Sequence, residues 1–190
     1  MNYSLIIEWS IVVLLLLALV YTMIVIKEEP RSYLENAKHL QFAGLQLLVP
    51  SWWTQTLNTT ESISFERTDT NYEWKATLSV FDWTQQDQDI EKALIEWLHA
   101  KEVLFDEINS VIHNPSDYKD HESVQSGEWE IVRLEGTATQ AETKRIYLDT
   151  YLIRDKINKK EYYCESRSSV LNGIIEGPYF EAMMNRAKQA

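Results

Sequence analysis

The densest chemistry in this chain is the run Asp117-Tyr118-Lys119-Asp120-His121-Glu122. Carboxylates and an imidazole this close together are the donor types a divalent cation takes. The spacing does not match a D-x-D-x-D-G loop and Lys119 competes for the carboxylates, so the segment reads as a solvated loop. The single cysteine, Cys164, is the other nucleophile type. It stands between Tyr163 and Glu165 in a strand-like run, with no cation beside it to favour a thiolate, and reads as structural. One cysteine also excludes an internal disulfide and a multi-thiolate metal site. There is no phosphate-cradling glycine loop, H-E-x-x-H, paired C-x-x-C or G-x-S-x-G. The expectation is therefore a protein that is not an enzyme, with no catalytic residue, cofactor, metal site or small-molecule substrate.

Tryptophan is the next residue type able to carry function. Of the seven, Trp74 and Trp97 fall on apolar faces and read as core. Trp52 and Trp53 follow Pro50 in a turn, and Trp83 lies just past a strand. These three are the candidates for an exposed aromatic patch that binds a partner, since Trp concentrates at interface hot spots, although core packing is the favoured reading of each taken singly.

The first 26 residues read as a membrane anchor. Leu5 to Ile26 is apolar apart from Glu8, Trp9, Ser10, Tyr21 and Thr22. As a helix it spans roughly 33 Å, close to the hydrocarbon thickness of a bilayer. A cleavable signal peptide would need a basic start and small residues at its end, and this segment has neither. Lys27, Arg31 and Lys38 follow the helix and no Lys or Arg precedes it. The positive-inside rule thus places the following domain in the cytoplasm, by only three residues over a periplasmic placement, with the chain in the cell (inner) membrane. Ser10, Leu14, Ala18 and Thr22 recur every four residues, a narrow stripe that another helix could approach. Glu8 lies about one turn inside the apolar run, at headgroup level or paired in a neighbouring subunit. Glu8, Ser10, Ala18 and Thr22 are accordingly the membrane-docking candidates.

Residues 27–38 form a charged connector containing Pro30, and 39–190 a folded domain. Strands are expected at Leu40–Gly44, Leu45–Val49 and Ser62–Arg67, and most clearly over Tyr72–Val80, where apolar and polar residues alternate strictly. Between Asp87 and His99 the period changes: Ile90, Leu94, Trp97 and Leu98 make the stripe of an amphipathic helix. Leu104, Phe105 and Ile108 continue that stripe or open a second helix. After the turn at Asn114-Pro115-Ser116-Asp117 come three strands, Trp129–Ala138, Arg145–Arg154 and Glu161–Val170, spaced for an antiparallel meander. Gly177-Pro178 then introduces a closing helix over Tyr179–Lys188. The fold class is α+β: a mainly antiparallel sheet with helices on one face, behind one transmembrane helix.

The net charge of −11 lies almost wholly in this domain. It disfavours nucleic acid and anionic lipid headgroups, and no run of basic residues offsets it. The order of elements resembles the Mog1/PsbP-like group. The residues that carry the resemblance are Val49-Pro50-Ser51-Trp52, Ile63-Ser64-Phe65, the helix near 88–99, Leu134-Glu135-Gly136-Thr137-Ala138, Tyr147 to Ile153, Tyr162-Tyr163 and Tyr179 to Met184. The resemblance covers roughly residues 40–188 and implies a small sandwich used mostly as a binding module. Members act as accessory subunits of membrane complexes, small-GTPase partners or secretion-linked chaperones. The expected function is a single-pass accessory subunit whose acidic domain binds a protein partner, with the bilayer and integral membrane subunits as its other neighbours. A tethered chaperone or immunity-type protein that sequesters a basic client is the alternative.

Overall fold

Residues whose neighbours alternate between two apolar sides need cover on both sides, and that requirement organises this molecule. The computed structural model describes residues 3–84 and 88–190; the side chains of 3–8 and 24–32 lie outside the described residues, and with them the expectations for Glu8 and Asp87. The first helix, α1 (Tyr3–Asn36), runs on through Pro30, so the connector is helical as far as Asn36. A hairpin follows, β1 (Lys38–Phe42) and β2 (Leu45–Val49), then β3 (Thr54–Asn58), β4 (Ser62–Glu66) and β5 (Trp74–Asp82). Next come α2 (Ile90–Ala100), β6 (Val103–His113), a short α3 (Glu122–Gln125), and the long strands β7 (Trp129–Gln140), β8 (Lys144–Asp155) and β9 (Lys160–Ser168). The chain closes with α4 (Gly173–Met184) and β10 (Lys188–Gln189).

Seven strands form one antiparallel sheet in the order β3-β4-β5-β9-β8-β7-β6, and β1, β2 and β10 form a second, three-stranded sheet. Helix α2 covers one face of the large sheet. Its Asp89 cap accepts the Lys92 amide, and Ile90, Ala93, Leu94 and Leu98 pack on Val132, Leu148 and Leu152. The small sheet and α4 cover the other face, where Leu45, Leu47, Phe180 and Met183 meet Ile131, Tyr151, Ile153 and Tyr162. Two-sided cover explains why β7 to β9 carry apolar pairs such as Ile131-Val132 and Leu152-Ile153 instead of clean alternation. It also corrects the expectation of helices on one face only.

Three local expectations change. Residues 103–113 are the strand β6, not helix, because pairing with β7 outweighs a helical spacing of three apolar residues. Thr54–Asn58 is an added outer strand. The last helix begins at Gly173 and contains Pro178, and it ends at Met184, which frees Lys188–Gln189 to pair with β2. Among the described residues, no helix is long and apolar enough to cross a membrane. Within α1 the described side chains from Trp9 to Met23 are all exposed.

Strand β6 loses register between Phe105 and Ser110, so that four residues bulge outward opposite Thr137. Gly136 permits this. Its φ is 147°, and a Cβ there would stand 2.6 Å from the Ser110 Cα and closer still to the Asn109 carbonyl oxygen. Gly136→Ala should therefore lower stability by at least about 2 kcal/mol, read as a shift in the urea unfolding midpoint.

Candidate interaction site

The helix and the domain meet at Tyr33. Its ring is 2% exposed, its hydroxyl donates to the Leu48 carbonyl at 2.5 Å, and burial pushes its pKa up to about 12, so it stays a neutral donor. Trp52 and Tyr179 pack edge-on against it, with ring centroids at 6.3 and 5.7 Å, and they meet each other at 4.9 Å. Beneath this aromatic cluster lies Glu176, a carboxylate with no exposed surface. It accepts from Trp53 Nε1 at 2.7 Å, Trp52 Nε1 at 3.3 Å, Tyr72 hydroxyl at 2.7 Å and Arg67 Nη1 at 2.5 Å. A buried charge persists only when it is paired and hydrogen-bonded, and Glu176 is both.

Trp53 takes the core reading, and the three tryptophans do not form one exposed patch. Trp53 is 2% exposed and packs against Trp74 inside the core, ring centroids 4.3 Å apart and planes tilted by 38°. Trp52 is half-buried by Tyr33 and Tyr179. Trp83 stands elsewhere, beside the β8–β9 turn, with the Arg154 and Lys159 cations 5.5 and 5.1 Å from its ring. Turn residues looked exposed in sequence; the tertiary fold used their indole N–H groups to hold a buried acid. Of the docking candidates on α1, the Thr22 hydroxyl donates to the Ala18 carbonyl at 2.8 Å, and the side chains of Ser10 and Ala18 are exposed.

The Asp117–Glu122 run borders a polar cleft of about 360 Å³ lined by His113, Asp117, Tyr118, Asp120, Arg133 and Glu181. His121 also lines it; the ring stacks on Trp129 at 5.5 Å, and burial lowers its pKa. Among the described residues no three His, Cys, Asp or Glu side chains are placed to hold a metal. At the base of the cleft the buried Arg133 serves three carboxylates. It reaches Asp149 at 2.8 and 3.0 Å, Glu135 at 2.7 Å and Glu181 at 3.2 Å, and lies 5.2 Å over the Tyr151 ring. Burial raises the Asp149 carboxyl to about 6 against the pull of Arg133, with Glu135 and Glu181 adding to the rise. Cys164 is buried, and burial drives its thiol far above the ordinary value, which leaves it inert as a nucleophile.

A third feature was not legible as a site. Between α2 and β6 runs an open apolar groove of about 500 Å³, lined by Ile95, Leu98, Val103, Leu104, Phe105 and Ile112. Strand β6 is one of the two edge strands of the large sheet, and Ile108 on its bulge is 94% exposed. Leu104, Val111 and Ile112 are exposed beside it. Reading these residues as helix hid the edge; the β-branched content of 103–112 was the available signal.

Comparison with protein-family models and with curated proteins finds no match. Solved structures do match. The Saccharomyces cerevisiae Ran-binding protein Mog1p superposes with a TM-score of 0.52 at 6% identity, over 81% of this chain and 95% of that one. The fold is Mog1/PsbP-like. A cyanobacterial PsbP from Synechocystis superposes at 0.49 with 7% identity, over 78% of this chain and 88% of that one. A Bacteroides thetaiotaomicron protein superposes at 0.46 with 12% identity; it aligns with 82% of this chain, which spans about half of its length. At these identities the likeness is one of fold alone.

Two outcomes test the energetics. Glu176→Ala strands four donors and should cost about 3–5 kcal/mol in urea unfolding. Asp149 has its pKa raised on folding, so its contribution to stability is complete below about pH 4 and is lost as pH rises through about 6. Stability of the parent relative to Asp149→Asn should therefore fall by about 2–3 kcal/mol between pH 4 and pH 7, read from unfolding at both values.

Proposed function

We propose that this chain is a single-pass membrane protein, anchored by α1, whose acidic Mog1/PsbP-like domain is a non-catalytic accessory subunit that binds a protein partner within a larger membrane complex. The observation that carries this reading is the exposure of α1. Ile11, Val12, Val13, Leu14, Leu15, Leu16, Leu17, Leu19 and Val20 are all more than 40% exposed, so the helix is apolar around its whole circumference with no cover from the domain. A helix of that kind is stable only when buried, and lipid supplies the burial. In sequence the apolar run extends beyond these residues, from Leu5 to Ile26. The Lys27, Arg31 and Lys38 bias supports a cytoplasmic domain.

The groove between α2 and β6 is the partner surface in this reading. Its exposed Ile108 and Leu104 rim an open sheet edge, a geometry that receives an extended or helical segment of another protein. Mog1p, by its description a Ran-binding protein, puts the same fold to protein binding. A second reading is a tethered module that sequesters a basic client. Its support is the polar cleft, where Asp117, Asp120 and Glu181 outnumber Arg133. Salt separates the two, because charge-led capture weakens as ionic strength rises and permanent apolar assembly does not.

Extraction in mild detergent should yield a complex of fixed stoichiometry that withstands high salt. Replacing Ile108 and Ile112 by Asp should cut the co-purified partner about tenfold or more while leaving the unfolding midpoint unchanged. A detergent-bound monomer under native conditions would overturn the accessory-subunit reading. Protease access in sealed and opened vesicles settles the side of the membrane.

A further inference from the structure

The sequence contains no basic run, yet the fold gathers five cations into one cleft, each paired with at least one carboxylate. Arg67 follows β4, Lys75 lies in β5, Lys144 and Arg145 open β8, and Arg167 lies near the end of β9. Antiparallel register places Lys75 opposite Arg167 and Tyr147 opposite Ser168, which brings all five cations to one end of the large sheet. They line a cleft of about 470 Å³ with Glu66 and Glu73 as the carboxylates of its lining. Lys75 reaches Glu66 at 3.0 Å and Lys144 reaches Glu73 at 3.4 Å; both pairs are largely exposed and readily exchanged for another anion. Arg145 bonds Asp106, and Arg67 bonds Asp69 at 2.6 Å as well as Glu176. Arg167 reaches Gln140 at 2.7 Å and Glu165 at 3.4 Å, while its Nε is buried without a partner.

An apolar knuckle rises at the rim of this cleft. Ser168 and Ser169 line the cleft, and the next residues are a short turn, Val170–Asn172, leading into α4. Leu171 is 84% and Ile174 80% exposed, with Val170 and Ile175 exposed beside them. Gly173 lies so close against the Tyr147 ring that no Cβ would fit, which seats the knuckle over the start of β8, where Lys144 and Arg145 stand. The same part of the molecule holds the exit of α1. Arg67 bonds Glu176, Glu176 accepts from Trp52, and Trp52 packs on Tyr33. Tyr33 is roughly 10 Å of helix beyond Ile26, where the apolar run ends, and a headgroup layer is about 5–8 Å deep.

We propose that the Val170–Ile175 knuckle and the adjoining basic cleft dock onto an anionic phospholipid surface beside α1, so that the domain lies against its own membrane. This rests on the reading of α1 as an anchor. Apolar side chains at the tip with cations behind them are the two components of interfacial lipid binding, and each Lys or Arg near an anionic surface strengthens the attraction by about fivefold. In a chain of net charge −11 this face is set apart by the exposed Lys75, Lys144 and Arg145 beside the apolar knuckle, while Arg67 is committed to Glu176.

The test uses the full chain in nanodiscs with a nitroxide at Ile174→Cys; Cys164 is buried and stays unlabelled. In discs containing phosphatidylglycerol the label should be more accessible to lipid-dissolved oxygen than to an aqueous nickel chelate. It should move into water in phosphatidylcholine discs and with Leu171→Asp. The double variant Lys144→Ala, Arg145→Ala should weaken docking about 25-fold. A label in water in both lipids, with the chain retained in the disc, overturns the docking alone. A lipid-exposed label that ignores lipid charge and the double variant overturns the role of the cleft. A label shielded by a second copy in the same disc overturns lipid as the occupant. A chain that leaves the disc in high salt overturns the anchor reading itself.

Discussion

One buried carboxylate ties this structure together. Glu176 belongs to α4, yet its four donors come from the segment after β2 (Trp52 and Trp53) and from the loop between β4 and β5 (Arg67 and Tyr72). Desolvating a lone carboxylate is costly, so the fold that buries Glu176 must deliver all of these groups together. That requirement fixes α4 over the large sheet and orients Trp52 so that its other side receives Tyr33 and Tyr179. The long first helix therefore leaves the domain from a defined, packed position instead of from a loose linker.

The second organising constraint is the cover on both faces of the seven-stranded sheet. The middle strands β8 and β9 are enclosed by α2 on one side and by the small sheet with α4 on the other. On the neighbouring β7 the buried Arg133 is bonded to Asp149, Glu135 and Glu181. Exposure is left to the sheet's periphery. Strand β6 keeps one side open, and its bulge carries Ile108 into water. The groove next to it is lined largely by apolar side chains.

The groups most able to react are held fast by the fold. The only thiol is buried and held protonated, the imidazole of His121 is stacked on an indole with its pKa lowered, and the buried Asp149 and Glu176 are bonded to arginine or indole. Among the described residues, the exposed features include an apolar helix, an apolar groove and a cleft lined by five cations with an apolar rim.

Local pattern in the sequence determined a good deal. The alternation over Tyr72–Val80, the helical stripe Ile90–Leu98 and the spacing of three strands after Pro115 correspond to β5, α2 and β7–β9, because period and turn chemistry act over a few residues. The extent of the apolar run from Leu5 to Ile26 was equally plain. Tertiary structure decided what depends on residues far apart in the chain. Pairing with β7 turned 103–113 into a strand, and the need to satisfy Glu176 drew Trp53 into the core and Trp52 under Tyr33. The antiparallel register gathered Arg67, Lys75, Lys144, Arg145 and Arg167, which no stretch of sequence places together, into one cleft. Burial and charge act through space, and the chain order of these residues carries no record of which of them will meet.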